Sequence, residues 1–446
     1  MNTNNSIPNS NPHWSSKEIP ELYIPKYNED DNVEILQPRP EVFDGILGDI
    51  TKETSPKLEP HPVGILLSLM TWVSSFLNKP VVKVTAGAEH HLNLFTVLVG
   101  YSSNARKGTS TWVATELFKE MYPDWYSDHL ADGVKTAEGL INLFSDGNQV
   151  PDTDPPEFTE KGFLAHDKRA IWLATEYSMV LRNMLGEKGS TIPDVVNQLF
   201  DGERIRTITK HRSQMATGVH LAFLGHITLD NLERLLNKLE LTSGYANRHL
   251  WCLTHRIRTI KEETKIYFPA LARKLKPQLE KASLVSELRF VGRGKEYWFE
   301  ELYPQLTKSR RGNAEVLSRA EVHVPKLASL YALFDPNNNP IAGIKYEHLL
   351  SAKALWDYCE QSCYEIFPLD EEQFDNKDLQ ALHELMVSKG VTEIDQSEVD
   401  FIDSNFYGNK RKQFEKALKK SNLITKKEVP QPNNQGRPKN VYYLNN

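Results

Sequence analysis

The stretch that most constrains this chain runs from Leu94 to Phe118. Leu94-Phe95-Thr96-Val97-Leu98-Val99 is an apolar, β-branched run that stops at Gly100, and Tyr101-Ser102-Ser103-Asn104-Ala105-Arg106-Lys107-Gly108-Thr109-Ser110 leads on into the helix-like Trp112-Val113-Ala114-Thr115-Glu116-Leu117-Phe118. A buried strand, a tight loop and a helix in that order build a phosphate cradle. Loop N–H groups and the helix N-terminus face the anion, a lysine neutralises it, and a hydroxyl reaches a bound magnesium. The spacing departs from the strict Gly, four residues, Gly, Lys, Ser/Thr form, because counting from Gly100 brings Ala105, Arg106, Lys107, Gly108 and Thr109. On spacing alone a second reading stays open, a basic strand-to-helix turn in which Thr109 or Ser110 caps the helix.

With 446 residues, an apolar fraction of 39% and a net charge of −6, the chain has room for two or three domains around a sizeable core. Its longest apolar run, Val63 to Leu77, is broken by serines and ends at Asn78-Lys79-Pro80. That falls short of the roughly 20 residues a membrane helix needs, so it reads as a buried helix, with no membrane partner expected. The polar first residues hold no apolar leader, and three cysteines suit a reducing compartment. A cytoplasmic location is expected. Cys359 and Cys363 lie one helical turn apart without a second ligand pair nearby, which favours helix packing over a metal site.

Residues 1–40 are rich in Asn, Ser and Pro and read as a flexible arm. From 41 to 260 strands and helices alternate. Pro80 to Val84 reads as a strand, His90 to Asn93 as a turn and Leu94 to Val99 as a buried strand, while Asp146 to Lys161 is an exposed loop. Arg169-Ala170-Ile171-Trp172-Leu173-Ala174-Thr175-Glu176 is a second buried strand with an acid at its carboxyl end. Ligands of open α/β sheets sit where strands end. Glu176 is therefore placed to hold magnesium or polarise water, or simply to favour a helix dipole. Ile205 to Arg212 alternates β-branched and basic residues, and Val219 to Thr228 is a third buried strand, ending in His226-Ile227-Thr228 before a helix from Asp230 to Leu239. His226 at that end either bonds a γ-phosphate or serves as a strand-end residue bonded to backbone. Arg248, between a glycine turn and the apolar run at Leu250, either pairs with a nearby carboxylate or projects into a neighbour's nucleotide. Together these predict an α/β domain with a mainly parallel sheet.

Residues 261–368 read as a helical subdomain with amphipathic helices at Val324 to Phe334 and His348 to Tyr358, and 369–375 as an acidic linker. From 376 to 446 the pattern of three helices and a hairpin predicts a winged helix. Lys410, Arg411, Lys412, Lys416, Lys419 and Lys420 share one basic helix, and Arg437 and Lys439 lie in the wing. That clustering in an acidic chain suits a DNA phosphate backbone. A solvated basic face on a protein-docking winged helix is the other reading.

Gly100 with Ala105 to Ser110, Gly139-Leu140-Ile141, Asp167-Lys168-Arg169, Glu176-Tyr177, Leu224-Gly225-His226-Ile227-Thr228, Gly244-Tyr245-Ala246-Asn247-Arg248, Val324 to Ala328 and Ala354 to Tyr358 together resemble a RecA-like, helicase-like ATPase family. Its members occur in phage, plasmid and prophage replication modules, beside or fused to primase-polymerase domains. The resemblance covers residues 40–368 and implies a RecA-like core with a winged-helix end, ATP and Mg2+ as cofactors, and a ring-forming or filament-forming homo-oligomer that acts on DNA, with a primase or other replication protein as partner. Carried over by position, Lys107 would hold the β/γ-phosphates and Thr109, with Ser110 second, the magnesium. Glu176 would orient water, His226 would sense the γ-phosphate, and Arg248 would be the finger reaching the adjacent subunit's ATP, with Lys210 a weaker candidate for that role. Ala174 stands where the family carries an acid, a loss of about 10²- to 10⁴-fold in rate by analogy with other positioned groups. The expected function is an ATP-hydrolysing, DNA-acting motor or loader of a mobile element. Its rivals are a non-catalytic DNA-binding initiator, regulator or defence adaptor on a degenerate ATPase fold, and a nucleotide-dependent assembly scaffold that never touches DNA.

Overall fold

The computed structural model describes residues 22–28, 33–85, 88–134, 136–147, 160–186, 191–208, 213–236, 244–262, 264–308, 315–339, 343–367, 377–388, 391–395, 414, 418–419, 424–429 and 439–444. The helix Pro62–Phe76 (α1) precedes the strand Phe95–Gly100 (β1), which feeds the helix Lys107–Met121 (α2). The sheet continues with Leu130–Ala131 (β2) and Arg169–Ala174 (β3), the latter followed by the helix Tyr177–Gly186 (α3). His220–Thr228 (β4), the helix Leu229–Leu235 (α4) and Leu250–Leu253 (β5) complete it. Across the sheet the order is β5-β1-β4-β3-β2, and every pairing is parallel. Thr228 stands opposite Gly100 and Gly225 opposite Ala174, so the strands release their chains along one shared edge. All six residues of β1 are buried, which is why the run reads as continuously apolar rather than alternating.

Helix α1 is buried from Pro62 to Ser75, and its hydroxyls explain how a serine-bearing helix survives there. Ser68 Oγ donates to Gly64 O at 2.7 Å and Thr71 Oγ1 to Leu67 O at 2.7 Å, while Ser74 Oγ accepts the N–H of Leu94 at 3.2 Å. Buried polar groups cost little once they are bonded in this way.

Val81–Thr85 is a strand as expected, but it joins a separate three-stranded sheet with Ala88–His91 and Glu287–Arg289. His90 and His91, expected in a turn, therefore lie in a strand opposite Val82 and Val81. The two histidines carry no turn chemistry of their own. Ile205–Ile208 pairs with Ser213–Ala216 as an isolated antiparallel ribbon. The helices Ala320–Leu333 (α5) and Tyr346–Ile366 (α6) pack on each other, and α6 covers β5. One apolar core runs from Val42 to Ile366 and includes both of them. Cys359 and Cys363 are buried on α6, where they pack as helix residues. The chain ahead of the core lies against it: Ile35 is buried and Arg39 pairs with Asp357 at 2.8 Å.

The last segment has a core of its own, which includes Leu379, Leu382, Ile394, Phe414 and Tyr442. Its helix Lys377–Ser388 accompanies a three-stranded antiparallel sheet in which Lys439–Leu444 lies between Glu393–Asp395 and Ile424–Val429. Among the described residues no helix is long and apolar enough to cross a membrane.

Burial pushes five of the buried histidines down from the ordinary value, to about 3 for His61, His220 and His323 and to about 4 for His226 and His249. Below pH 6.5 the unfolded chain takes up protons that the folded chain refuses, so stability is complete above that pH and is lost as the pH falls toward 4. Each histidine contributes a slope of about 1.4 kcal/mol per pH unit in that window. Denaturant unfolding followed from pH 7 to pH 5 should show a steep fall in stability, and His220→Gln should make it shallower by about that slope. A flat profile would contradict neutral burial.

Candidate functional site

Gly100 allows the loop to fold back over the end of β1. A Cβ there would lie 2.4 Å from Ala105 Cβ and 3.0 Å from Lys107 Nζ, a contact that no other residue type can accept. Ser102 Oγ accepts the N–H of Asn104 at 3.2 Å and holds the next turn. Arg106 then takes φ 56° and ψ 34° as the residue that opens α2. A left-handed arginine is strained by about 1 kcal/mol or more. An anchor keeps it there: Arg106 Nε meets Glu59 Oε2 at 2.6 Å, and Glu59 Oε1 accepts the N–H of Ile260 at 3.1 Å.

Ser110 is the first residue of α2 whose N–H returns to the backbone, bonding Arg106 O at 3.0 Å. The N–H groups of Gly108 and Thr109 thus stand in the first turn of the helix, where an anion is favoured. Lys107 Nζ donates to Ser102 O at 3.0 Å, so the amine lies across the mouth of its own loop. A Cβ on Gly108 would meet nothing within 4 Å, which leaves room over the helix terminus.

The neighbouring strand ends complete a cleft of about 410 Å³, lined by Arg106, Lys107, Gly108, Thr109, Thr175, Glu176, Ser178, His226, Ile227, Thr228 and Asn231. Glu176 occupies the exposed turn between β3 and α3. His226 is 5% exposed, and its Nε2 lies 2.8 Å from Thr111 Oγ1. Burial, and after it the charge of Lys107, hold this imidazole at about 4 and therefore neutral at pH 7. Thr228 Oγ1 accepts the N–H of Asn231 at 3.4 Å and caps α4.

Of the positions singled out in the sequence, Arg106, Lys107, Gly108, Thr109, Glu176 and His226 meet in this cleft, and Gly100 and Ala105 shape the loop behind it. Ser110 is buried and turned inward, its Oγ toward Arg106 O at 3.4 Å, so of the two hydroxyls only Thr109 reaches the cleft. Ala174 is buried at the end of β3 opposite Gly225. Arg248 is elsewhere. It precedes β5, whose Leu250 pairs with Thr96, and so lies at the amino edge of the sheet, away from the loop. Its Nη2 meets Asp201 Oδ2 at 2.6 Å and its Nη1 donates to Gly244 O at 2.7 Å. The pairing with a carboxylate of its own chain is the one the structure forms.

Lys210, Lys410, Arg411, Lys412, Lys416, Lys420 and Arg437 lie outside the described residues. Lys419 is exposed on a helix, and Lys439 opens a strand opposite Val429. Glu59, Thr111, Ser178 and Asn231 went unrecognised in the sequence. Only Thr228 and Asn231 carried a local signal, the spacing of a helix cap.

No group of three or more His, Cys, Asp and Glu among the described residues could hold a metal on its own. The cleft offers hydroxyls from Thr109, Ser178 and Thr228 and one carboxylate, Glu176. That donor set suits a magnesium ion that keeps its waters and takes its remaining ligands from phosphate. No protein-family model matches the sequence, and comparison with curated proteins finds no match.

The loop geometry predicts opposite outcomes for two small substitutions. Gly100→Ala forces Ala105 and Lys107 apart and should weaken pyrophosphate binding at least about tenfold, the scale of one lost charge-assisted contact. Arg106→Gly removes the backbone strain and should keep the melting temperature and most of the affinity. Calorimetric titration with pyrophosphate, together with thermal melts, checks both.

Proposed function

We propose that the chain binds ATP in this cleft and works as a RecA-like, DNA-acting motor or loader of a mobile genetic element. The observation that carries the reading is the loop from Gly100 to Thr109. It puts a lysine and the open N-terminus of a 15-residue helix at the carboxyl end of a central strand, beside an acid and a histidine from the next strand ends. Counted from the loop strand as first, the sheet runs fifth, first, fourth, third, second. One strand is thus inserted between the loop strand and the acid strand.

In this reading the first turn of α2 and Lys107 neutralise the β- and γ-phosphates. Thr109 offers its hydroxyl to magnesium, which spreads the developing negative charge. Glu176, exposed in its turn and lining the cleft, orients water. The terminal segment, with Lys419 and Lys427 exposed on its helix and sheet, supplies the DNA contact as a winged helix. Copies of the chain assemble as a ring or filament. A finger role for Arg248 in that assembly requires its pair with Asp201 to part.

A second reading rests on Ala174. With no acid at the end of β3, the site binds ATP without turning it over, and the chain serves as a DNA-binding initiator, regulator or adaptor.

ATP binding and hydrolysis, measured with and without single-stranded DNA on wild type and Lys107→Ala, test both. The motor reading expects DNA-stimulated turnover that falls at least about 100-fold in the variant. The second reading expects binding without turnover and DNA affinity indifferent to nucleotide. Absence of nucleotide binding by wild type would sink both, and unchanged DNA affinity after deletion of residues 376–446 would remove the winged helix from the account.

A further inference from the structure

His226 belongs to a chain of hydrogen bonds whose direction is fixed from its far end. Ser68 Oγ donates to Gly64 O at 2.7 Å, and a carbonyl only accepts, so the Ser68 proton is committed there. The 3.3 Å contact between Ser68 Oγ and Thr111 Oγ1 is then a bond only if Thr111 donates. With its single proton spent on Ser68, Thr111 must accept from its other neighbour, and His226 Nε2 at 2.8 Å must carry the hydrogen. The reverse arrangement, with Thr111 donating to Nε2, leaves two hydroxyl oxygens in contact with no proton between them. A directed relay of three bonds therefore selects the Nε2–H tautomer.

The other nitrogen is the one that the cleft reaches. His226 lines the cleft, and its Nδ1 is neither sealed from solvent nor bonded among the described residues. The charged groups around it are Lys107 and Arg106 from the loop and Glu176 from the β3 turn, while α1 presents only the Ser68 hydroxyl. A neutral imidazole in this tautomer shows a lone pair. It repels a phosphate oxygen and accepts from an O–H.

We infer that Thr111 and Ser68 are positioning residues that lock His226 with a bare Nδ1 toward the cleft, so that His226 holds the attacking water by accepting its proton in a hydrogen bond and does not bind the γ-phosphate. The inference rests on the nucleotide reading of the cleft. In the step it serves, the water oxygen bonds phosphorus as the β–γ bridging oxygen leaves with ADP. One water proton stays on inorganic phosphate and the other passes to solvent. His226 stays neutral throughout, and its part is aim.

The test uses the full-length chain labelled with ¹⁵N-histidine, with His226→Gln assigning the resonance. The Nε2–H pattern is expected in wild type and in Thr111→Ser, with loss of that preference in Thr111→Val. Alongside it, ATP and ADP affinities are measured for wild type and His226→Ala. A water-holding role leaves the ATP-to-ADP affinity ratio within about twofold, whereas a phosphate-bonding role lowers it by tenfold or more. Any measurable turnover should fall in Thr111→Val with KM unchanged and return in Thr111→Ser. An Nδ1–H signal, or a tenfold loss of discrimination in His226→Ala, overturns the inference while leaving the nucleotide site standing. Wild type that shows the Nε2–H pattern but binds no nucleotide overturns the nucleotide reading, and the water role falls with it.

Discussion

Helix α1 is the member on which the rest of the architecture leans, because it buries hydroxyls where a purely apolar helix would bury only carbon. Thr71 Oγ1 meets Thr96 Oγ1 at 2.8 Å and ties the helix to the middle of β1. His220 Nε2 reaches Ser74 O at 2.8 Å and ties it to the start of β4. Gly64 lets it come close to the loop: a Cβ there would sit 3.0 Å from Ser110 Oγ and 3.2 Å from Thr254 Oγ1. Each bond is worth only about 1 kcal/mol net, yet each is directional. Apolar burial decides that α1 lies under the sheet, and the hydroxyls decide its register against the strands whose ends make the cleft.

That division between burial and direction also separates what could be read from the sequence. The strand, loop and helix around Gly100 were legible because every cue is local: a β-branched run, a glycine, small polar residues and a helix former within about 25 positions. The parallel sheet followed from three more buried runs in series. Less legible was anything whose partner arrives from afar. Glu59 anchors Arg106 across 47 positions, and Thr111 meets His226 across 115. Neither pair leaves a spacing in the chain. The hairpin at Ala88–His91 was lost for a different reason: its strand is short, polar and histidine-bearing, so alternation gave no sign. Arg248 marks a further limit. Its residue type and its place before a strand were plain, but whether it would pair with a carboxylate of its own chain or project into a neighbour's nucleotide depended on Asp201, which lies 47 residues earlier at the same sheet edge.

The two edges of the sheet carry different electrostatics. At the carboxyl edge Lys107 faces an open cleft with Glu176 across it. At the amino edge Asp201 is gripped by Arg248 at 2.6 Å and Arg319 at 3.2 Å, with Lys326 fully buried nearby. Lys326 Nζ donates to Asn93 O at 3.2 Å and lies 3.5 Å from the centre of the Phe200 ring, and burial holds its amine well below the usual lysine range. A protonated Lys326 would place three cations around one carboxylate. Lowering its charge state is how the edge avoids that excess. Among these four groups the amino edge thus limits its excess to one positive charge over the Asp201 carboxylate, whereas at the carboxyl edge Lys107 lies beside an open cleft.

Ala174 and His226 then bear on the same question from adjacent strands. Ala174 pairs with Gly225, the residue before His226, so the position without an acid and the position with a histidine are neighbours in the sheet. Successive residues alternate faces along a strand, so a side chain at 174 shares its face with Gly225, while His226 turns to the other face, toward Thr111. A protonated His226 would have to donate from both nitrogens, and the Thr111 relay would keep its direction only at Nε2. Burial, and after it the charge of Lys107, keeps that imidazole neutral at pH 7. The strand ends behind the cleft thus stay uncharged, Ala174 by residue type and His226 by burial, and the charge in the cleft comes from Arg106, Lys107 and Glu176.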